Sequence, residues 1–467
     1  MRLYNSLSRQ VEEVKPADGR TVKMYSCGPT VYRYAHIGNF RTFMLGDLIH
    51  RALRFEGQDV FWVMNITDVG HMTDDVRDTG RDKMDLAMED EGLSPLAIAE
   101  KYSEAFLEDA DALNIERADE YPKATDHIAE MIQITQQLLD RGHAYEVEGN
   151  VYFDVRSFPD YGKLSGNTLE AIRAGHRQDL EVDPNKRHHA DFALWKRAGP
   201  NRLMKWPSQW GEGFPGWHIE CSAMSMKYLG DRFDIHTGGN DLKFPHHEDE
   251  IAQSEGATDH QVVSIWVHGG FLLMGEKKMA KSARNIQRVT DLAEHGIDPL
   301  AYRLLCFNTR YRSEMGFTWD SLEGQNARLT HLRQRMQDWA HEPLPETGTL
   351  SSDWKDFDRR FRDAVANDLD LPEALVALNA AVTSARLAGG QKYALIASWD
   401  QILGLDLERL ATAKWKPTEE ILDLVRRRDE ARVAKDFATS DEIRRELISM
   451  GLEVMDTAQG TKVRPRS

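Results

Sequence analysis

Cysteine is scarce. The 467 residues hold three, Cys27, Cys221 and Cys306, and an odd, scattered set excludes a disulfide framework and fits a reducing cytosol. Long apolar runs are missing. None approaches the ~18 residues of a membrane span, and residues 1–15 are polar and of mixed charge, without a signal-peptide core. Positive charge is in deficit: 59 Lys and Arg against 76 Asp and Glu leave −17. That excludes DNA binding by bulk charge and confines any nucleic-acid partner to a locally basic face. There is no internal repeat and no low-complexity tract. The expectation is a cytoplasmic protein, neither secreted, membrane-bound nor fibrous. What is present is 41% hydrophobic and 29% charged residues, enough for about three domains at ~150 residues each.

The chain opens as an α/β unit. Residues 22–27 read as a short strand, 28–39 as a loop rich in Gly, Pro and His, and the stretch from Phe40 as a helix with Leu45, Leu48, Ile49 and Ala52 on one stripe, stopped by Gly57. Residues 60–66 form a continuous apolar strand of the doubly buried kind. This is the first half of a doubly wound, Rossmann-like parallel sheet. The patterning predicts five parts. Residues 1–115 are the first half of that domain, and 116–215 an insertion with a helix over 124–141 and a hairpin turning at residues 148–150. Residues 216–320 return to the sheet through FDIHTGGND and VVSIWVHGG. Residues 321–410 form a helical bundle without strands, and 411–467 a small C-terminal module. From Arg426 onward, ten Lys or Arg face eight Asp or Glu, so this end alone leans basic.

Three groups of residues carry chemistry. The run His36-Ile37-Gly38-Asn39 lies between a strand and a helix, where free N–H groups and the positive dipole end attract anions. Gly38 permits close approach, and His36 and Asn39 offer donors to phosphate. After Gly275 comes Lys277-Lys278-Met279-Ala280-Lys281-Ser282, whose lysines three apart suit a loop that meets charge developing on a phosphoryl group. The third group is Cys27, Cys221, His246 and Glu250. A helix begun at Pro245 puts His246 and Glu250 on one face, whereas His247 pairs at i+4 with Ile251. Two thiolates, an imidazole and a carboxylate make a zinc set. A buried cysteine pair beside a surface His-His-Glu run is the plainer reading of the same residues.

Taken in order, HIGN and KMAKS resemble the paired HIGH and KMSKS signatures of class I aminoacyl-tRNA synthetases. Each lacks one polar group of its signature, which implies slower adenylation. The segments YSCGPTVYRYAHIGNFRTF, VMNITDVGHM, DFALWK, GWHIECSAMSMKYLG, FDIHTGGNDLKFPHHEDEIAQSEG and KKMAKS are similar, in order, to the blocks of the cysteinyl-tRNA synthetase family, from about residue 3 to the C-terminus. That resemblance implies one zinc ion on Cys27, Cys221, His246 and Glu250, with the substrate thiolate joining it. It implies a cysteine pocket of Cys27, Gly28, Thr30, Thr42, Asn65, Thr67 and Trp217. Adenosine is expected over Gly239, Asn240 and Asp241. ATP with Mg2+ meets Gly38 and the catalytic set His36, Asn39, Lys278 and Lys281. The expected partners are L-cysteine, ATP and tRNA-Cys, with the enzyme a monomer. The C-terminal module resembles an anticodon-binding unit, with Asp441, Arg444 and Asp456 as candidate base contacts.

Two other readings have discriminators. A sister ligase that joins cysteine to a glucosaminyl-inositol shares the zinc set and both signatures, but is shorter and lacks the C-terminal module and the residue matching Glu250. A silent RNA-binding relative would need a broken phosphate site, whereas His36, Gly38, Lys278, Met279 and Lys281 stand intact.

Overall fold

The computed structural model describes residues 1–74, 79–167, 183–200, 202–274, 277–278, 287–343, 351–407, 419–434, 436–450, 452–457 and 460–465. Its centre is a sheet of four parallel strands in the order Val263–Gly269, Phe233–Gly239, Thr21–Ser26, Asp59–Met64. Strand Thr21–Ser26 lies between its successor in sequence and a strand from the second half of the chain. The winding reverses there, and ligands of such sheets sit beyond the carboxyl ends at that point.

Alternation along the first strand of this sheet sorts its two faces. Val22 and Met24 enter the core beneath helix Ile37–Phe55. Tyr25, and Cys27 just past the strand, enter the opposite core with Ile219, Met224 and Ile251 from helices Trp217–Leu229 and His246–Thr258. The helix expected from Phe40 starts three residues earlier, because His36 and Asn39 cap it. It ends at Phe55, and Gly57 follows in the left-handed region at φ 82°. The expected helix over 124–141 begins as a 3-10 turn, Ala124–His127, and is α-helical over Ile128–Asp140.

The expected hairpin is present as Ala144–Val147 and Asn150–Phe153. Glu148 (φ 52°) and Gly149 (φ 82°) are both left-handed, the requirement of the tight turn that matches strand twist. Strands Phe192–Arg197 and Gly213–Pro215 complete a four-stranded antiparallel sheet. Before reaching it, the chain still bridges the parallel sheet, through Val63 with Glu120 and Ile66 with Lys123.

Helices Trp319–Trp339, Ser352–Ala366, Leu371–Thr383 and Gly389–Leu403 share one core with helix Ile37–Phe55. A buried ionic junction ties helix Ile37–Phe55 to the end of helix Gly389–Leu403. The fully buried Arg303 donates to Asp47 (2.5 Å) and to the carbonyls of Leu403 (2.6 Å), Leu113 and Asn114 (both 3.2 Å), while Arg51 donates to Asp47 at 2.9 Å. The terminal unit, helices Glu419–Val433 and Phe437–Ser449, has its own core of Ile421, Leu424, Ile443, Leu447 and Leu452. It ends in a hairpin, Leu452–Thr457 with Gly460–Pro465, in the part the sequence marked only as a small module. Among the described residues no helix is long and apolar enough to cross a membrane.

Candidate metal centre and substrate cleft

Cys27, Cys221, His246 and Glu250 come from three elements and meet at the carboxyl end of the sheet. Cys27 follows strand Thr21–Ser26, Cys221 lies on helix Trp217–Leu229, and His246 and Glu250 lie one turn apart on helix His246–Thr258. All four are buried, and their ligand atoms lie within 4.8 Å of one another. The Cys27 and Cys221 sulfurs are 4.0 Å apart, close to the ~3.8 Å edge of a tetrahedron with ~2.3 Å Zn–S bonds. His246 Nε2 is 3.0 Å from Glu250 Oε1, and Cys27 Sγ is 4.0 Å from the same oxygen. Spacing and donor chemistry both fit zinc.

The structure adds imidazoles that helix periodicity did not reveal. His247 reaches Cys27 Sγ at 3.2 Å. Pairing at i+4 with Ile251 misses this approach, and also the 3.9 Å between His247 Nε2 and Glu250 Oε1 three residues along the same helix. His236 Nε2 is 2.8 Å from Glu250 Oε2, so Cys27, His236, His247 and Glu250 form a second, overlapping set of the same compactness. Behind the first set, His246 Nδ1 and His218 Nδ1 are 2.7 Å apart. His218 Nε2 lies 3.3 Å from Asp249, which accepts from the Tyr161 hydroxyl at 2.5 Å. Behind the second, His247 Nδ1 and His268 Nε2 are 2.8 Å apart, and His268 Nδ1 meets Ser6 Oγ at 2.8 Å. Such outer partners fix the tautomer and orientation of ligand imidazoles.

The electrostatics have the sense of groups that need a cation. Burial pushes the Cys27 thiol up, helped by the Glu250 charge. The Cys221 thiol is pushed well up by its contact with Cys27 and by burial. Burial holds His218 and His247 neutral and takes His268 down to about 3. His246 goes the other way. Burial opposes its charge, but Glu250 and Cys221 raise it to about 10. Against burial, His236 and His246 hold the Glu250 carboxyl down to about 2. A divalent cation bound by Cys27, Cys221, His246 and Glu250 would replace the thiol and imidazolium protons, since thiolates and neutral imidazole are the ligand forms.

The expected cysteine-pocket residues line a cleft of about 260 Å³ that opens from this centre. Gly28 is dictated by space: a Cβ there would lie 1.7 Å from the Asn65 carbonyl oxygen. The Asn65 side chain accepts from Gly28 N–H (2.9 Å) and donates to Thr67 Oγ1 (3.0 Å), and Thr67 donates to the fully buried Glu220 (3.0 Å). Thr30 bridges Thr67. Trp217 heads its helix half-buried, its ring 4.6 Å from that of His246. Gly216 before it has no room for a Cβ, which would fall 1.9 Å from the Ala193 carbonyl oxygen.

At the helix N-terminus, His36 Nδ1 accepts from Asn39 N–H (3.2 Å), and Asn39 Oδ1 accepts from His36 N–H (3.1 Å). Accepting at Nδ1 places the His36 proton on Nε2. The cap therefore uses acceptors, and the donor ends are the ones suited to phosphate. Gly38 packs on the His36 ring, where a Cβ would meet it at 3.0 Å. Gly239 ends its strand, with the Asp241 carboxylate folded towards it; the Asn240 N–H donates to Gly269 (2.8 Å), and Thr42 lies nearby.

Lys277–Lys278 form a short strand against Leu273 and Met274. The Lys278 side chain, and residues 279–286 with Lys281, lie outside the described residues. Asp441 and Arg444 are exposed on helix Phe437–Ser449, and the Asp456 side chain lies outside the described residues. Strand Met72–Asp74, in a stretch without apolar alternation, pairs with Thr79–Asp82.

The family model for the class I (C) tRNA synthetase catalytic domain matches residues 13–327, and the one for the cysteinyl-tRNA ligase anticodon-binding domain matches 417–464. The chain is 42% identical over 490 residues to a cysteine–tRNA ligase of Treponema denticola, covering 99% of both. It is 43% identical over 478 residues to one of Thermus thermophilus, covering 99% of this chain and 98% of that one. Among solved structures, methionyl-tRNA synthetase of Mycobacterium tuberculosis in complex with methionyl-adenylate aligns at a TM-score of 0.59 and 15% identity, over 87% of this chain and 94% of that chain. This last likeness is one of fold.

Proposed function

The chain belongs to the cysteine–tRNA ligase family of class I aminoacyl-tRNA synthetases, and we propose that its cleft selects cysteine by its thiol, activates it with ATP and passes it to tRNA-Cys. Cys27, Cys221, His246 and Glu250 hold the ion. Zinc suits this donor set, and when bound it supplies a soft Lewis acid that favours a thiolate over the hydroxyl of serine. An apolar pocket separates such near-isosteres by only ~10²-fold.

The remaining steps fall to positioning and charge, because the substrate carboxylate is itself the nucleophile on the α-phosphorus. Gly28, Thr30, Thr42, Asn65, Thr67 and Trp217 surround the amino acid. Gly239, Asn240 and Asp241 take the adenosine, with Asp241 near the ribose hydroxyls. His36 and Asn39 donate to the phosphates, Gly38 lets them approach, and Lys278 and Lys281 balance the departing pyrophosphate, with Mg2+ accompanying ATP. The 2′-hydroxyl of the tRNA terminal ribose then attacks the adenylate. Asp441, Arg444 and Asp456 contact anticodon bases, and the enzyme works in the cytoplasm as a monomer.

The meeting of two thiols, an imidazole and a carboxylate in one buried cluster carries this reading. Labelled cysteine with ATP is offered to unfractionated tRNA, with serine and glucosaminyl-inositol in parallel. Label on tRNA-Cys alone is expected, and label on the amino sugar with blank tRNA overturns the reading. Cys221→Ser is expected to lose zinc and cysteine-dependent pyrophosphate exchange together; full exchange in a zinc-free variant removes the metal from the mechanism.

A further inference from the structure

Cations and aromatic rings alternate beside the cleft, whose lining takes in Tyr32, Arg33, Tyr34, Lys83 and Trp217. The Arg33 guanidinium lies 5.1 Å from the Tyr32 ring, and Lys83 Nζ lies 5.8 Å from Tyr32 and 5.7 Å from Trp217. Arg288 covers Tyr34 at 3.5 Å. Tyr34 meets Tyr102 edge-on at 4.8 Å, and Lys101 Nζ lies 5.8 Å from Tyr34 and 5.0 Å from Tyr102. Glu91 accepts from both Lys101 and Tyr102 and anchors that end of the row. Arg33 and Tyr34 are exposed.

Such a row runs against the composition, since the chain carries −17 overall. Stacking faces interleaved with cations are how proteins hold single-stranded nucleic acid: a base stacks on a ring or a guanidinium plane, and a cation meets the next phosphate. We propose that this row, centred on Tyr34 and Arg288, seats the single-stranded 3′ end of tRNA as it enters the cleft, with a base stacked at Tyr34 and a backbone phosphate on Arg33. The inference rests on tRNA being the acceptor. It is distinct from the adenosine position at Gly239–Asp241, which belongs to another strand.

Separate assays of the two half-reactions test it. Tyr34→Ala is expected to lower kcat/KM for tRNA in cysteine transfer by about 5- to 150-fold, the range of one base–aromatic stack. Tyr34→Phe keeps the ring and retains transfer. Cysteine-dependent pyrophosphate exchange stays within about twofold of the unaltered enzyme in both, which also reports that they fold. Arg33→Ala is expected to reduce the salt slope of tRNA binding by about one. Equal losses in exchange and transfer assign the row to the triphosphate and overturn the proposal. Unchanged transfer in Tyr34→Ala overturns it too, leaving the row a structural clasp. If the unaltered enzyme charges no tRNA, the ligase reading fails first, whatever the variants do.

Discussion

Asp109 sits on helix Pro95–Ala112, a residue 6% exposed. Burial, partly offset by Arg288 and reinforced by Glu108 and Asp291, raises its carboxyl from 3.8 to about 6. A folded-state pKa above the unfolded one means that the folded state binds the proton more tightly. The associated stability is present at low pH and lost as pH climbs from 3.8 through 6. Above pH 7 the protein carries an ionised carboxylate in a poor place, at a cost of at most about 3 kcal/mol at 1.36 kcal/mol per pKa unit. Desolvation at the site is partial, so solvent screening leaves about half of that. Asp109→Asn removes the charge at nearly constant shape and is expected to stabilise the enzyme by ~1.5 kcal/mol at pH 8, which raises Tm by ~1.5 °C for a chain of this length. The advantage shrinks to about a third by pH 4.5, where the unfolded carboxyl also becomes protonated. Calorimetry at both pH values reads it. A variant less stable at pH 8 than at pH 4.5, relative to the unaltered enzyme, refutes the reasoning and makes Asp109 a net favourable partner of Arg288.

Three further outcomes follow from contacts described above. Gly28→Ala forces a methyl into the Asn65 backbone carbonyl; pyrophosphate exchange is expected to fall at least ~100-fold, since ~1 Å of displacement beside Cys27 misplaces the substrate, and activity near that of the unaltered enzyme shows that the loop yields. Arg303→Met leaves Asp47 one cation short and the Leu403, Leu113 and Asn114 carbonyls without this donor. A loss of ~3–5 kcal/mol is expected from such a broken buried pair, read as a large drop in Tm, and a shift under 2 °C refutes it. Tyr161→Phe deletes the hydroxyl that holds Asp249 behind His218 and His246. Zinc affinity by chelator competition is expected to weaken ~10-fold or more, and unchanged affinity separates Tyr161 from the ion.

Much of the architecture was legible because local signals agreed with the fold. The residue 148–150 turn, the two strand-then-glycine segments and the helix from Pro245 all stand where periodicity put them. The main site was legible for a mixed reason: i,i+4 spacing paired His246 with Glu250, but joining them to Cys27 and Cys221 rested on the resemblance. What escaped was tertiary. His218, His236, His247 and His268 meet the cluster from separate elements, and no spacing rule within one helix or strand reports on that. The final hairpin escaped because its apolar alternation, Leu452 and Val454 facing Pro465 and Val463, is two residues long on each side. The strand Met72–Asp74 escaped for a similar reason, as its sequence has no apolar period.

Cys27 and Cys221 stand 194 residues apart in the chain. At the ~5–20 residues per second of protein synthesis, about 10–40 s separate their appearance. For most of that interval, once Asp59–Met64 has been made, strand Thr21–Ser26 has that neighbour and lacks the other, because Phe233–Gly239 is not yet made. Tyr25 and Cys27 wait uncovered on an unfinished sheet. Glu250, the last ligand, emerges after the antiparallel insertion is complete. An ion held by all four groups would therefore record that both halves of the sheet have docked around the inserted unit, so metal loading during translation would be a readout of assembly as well as of chemistry.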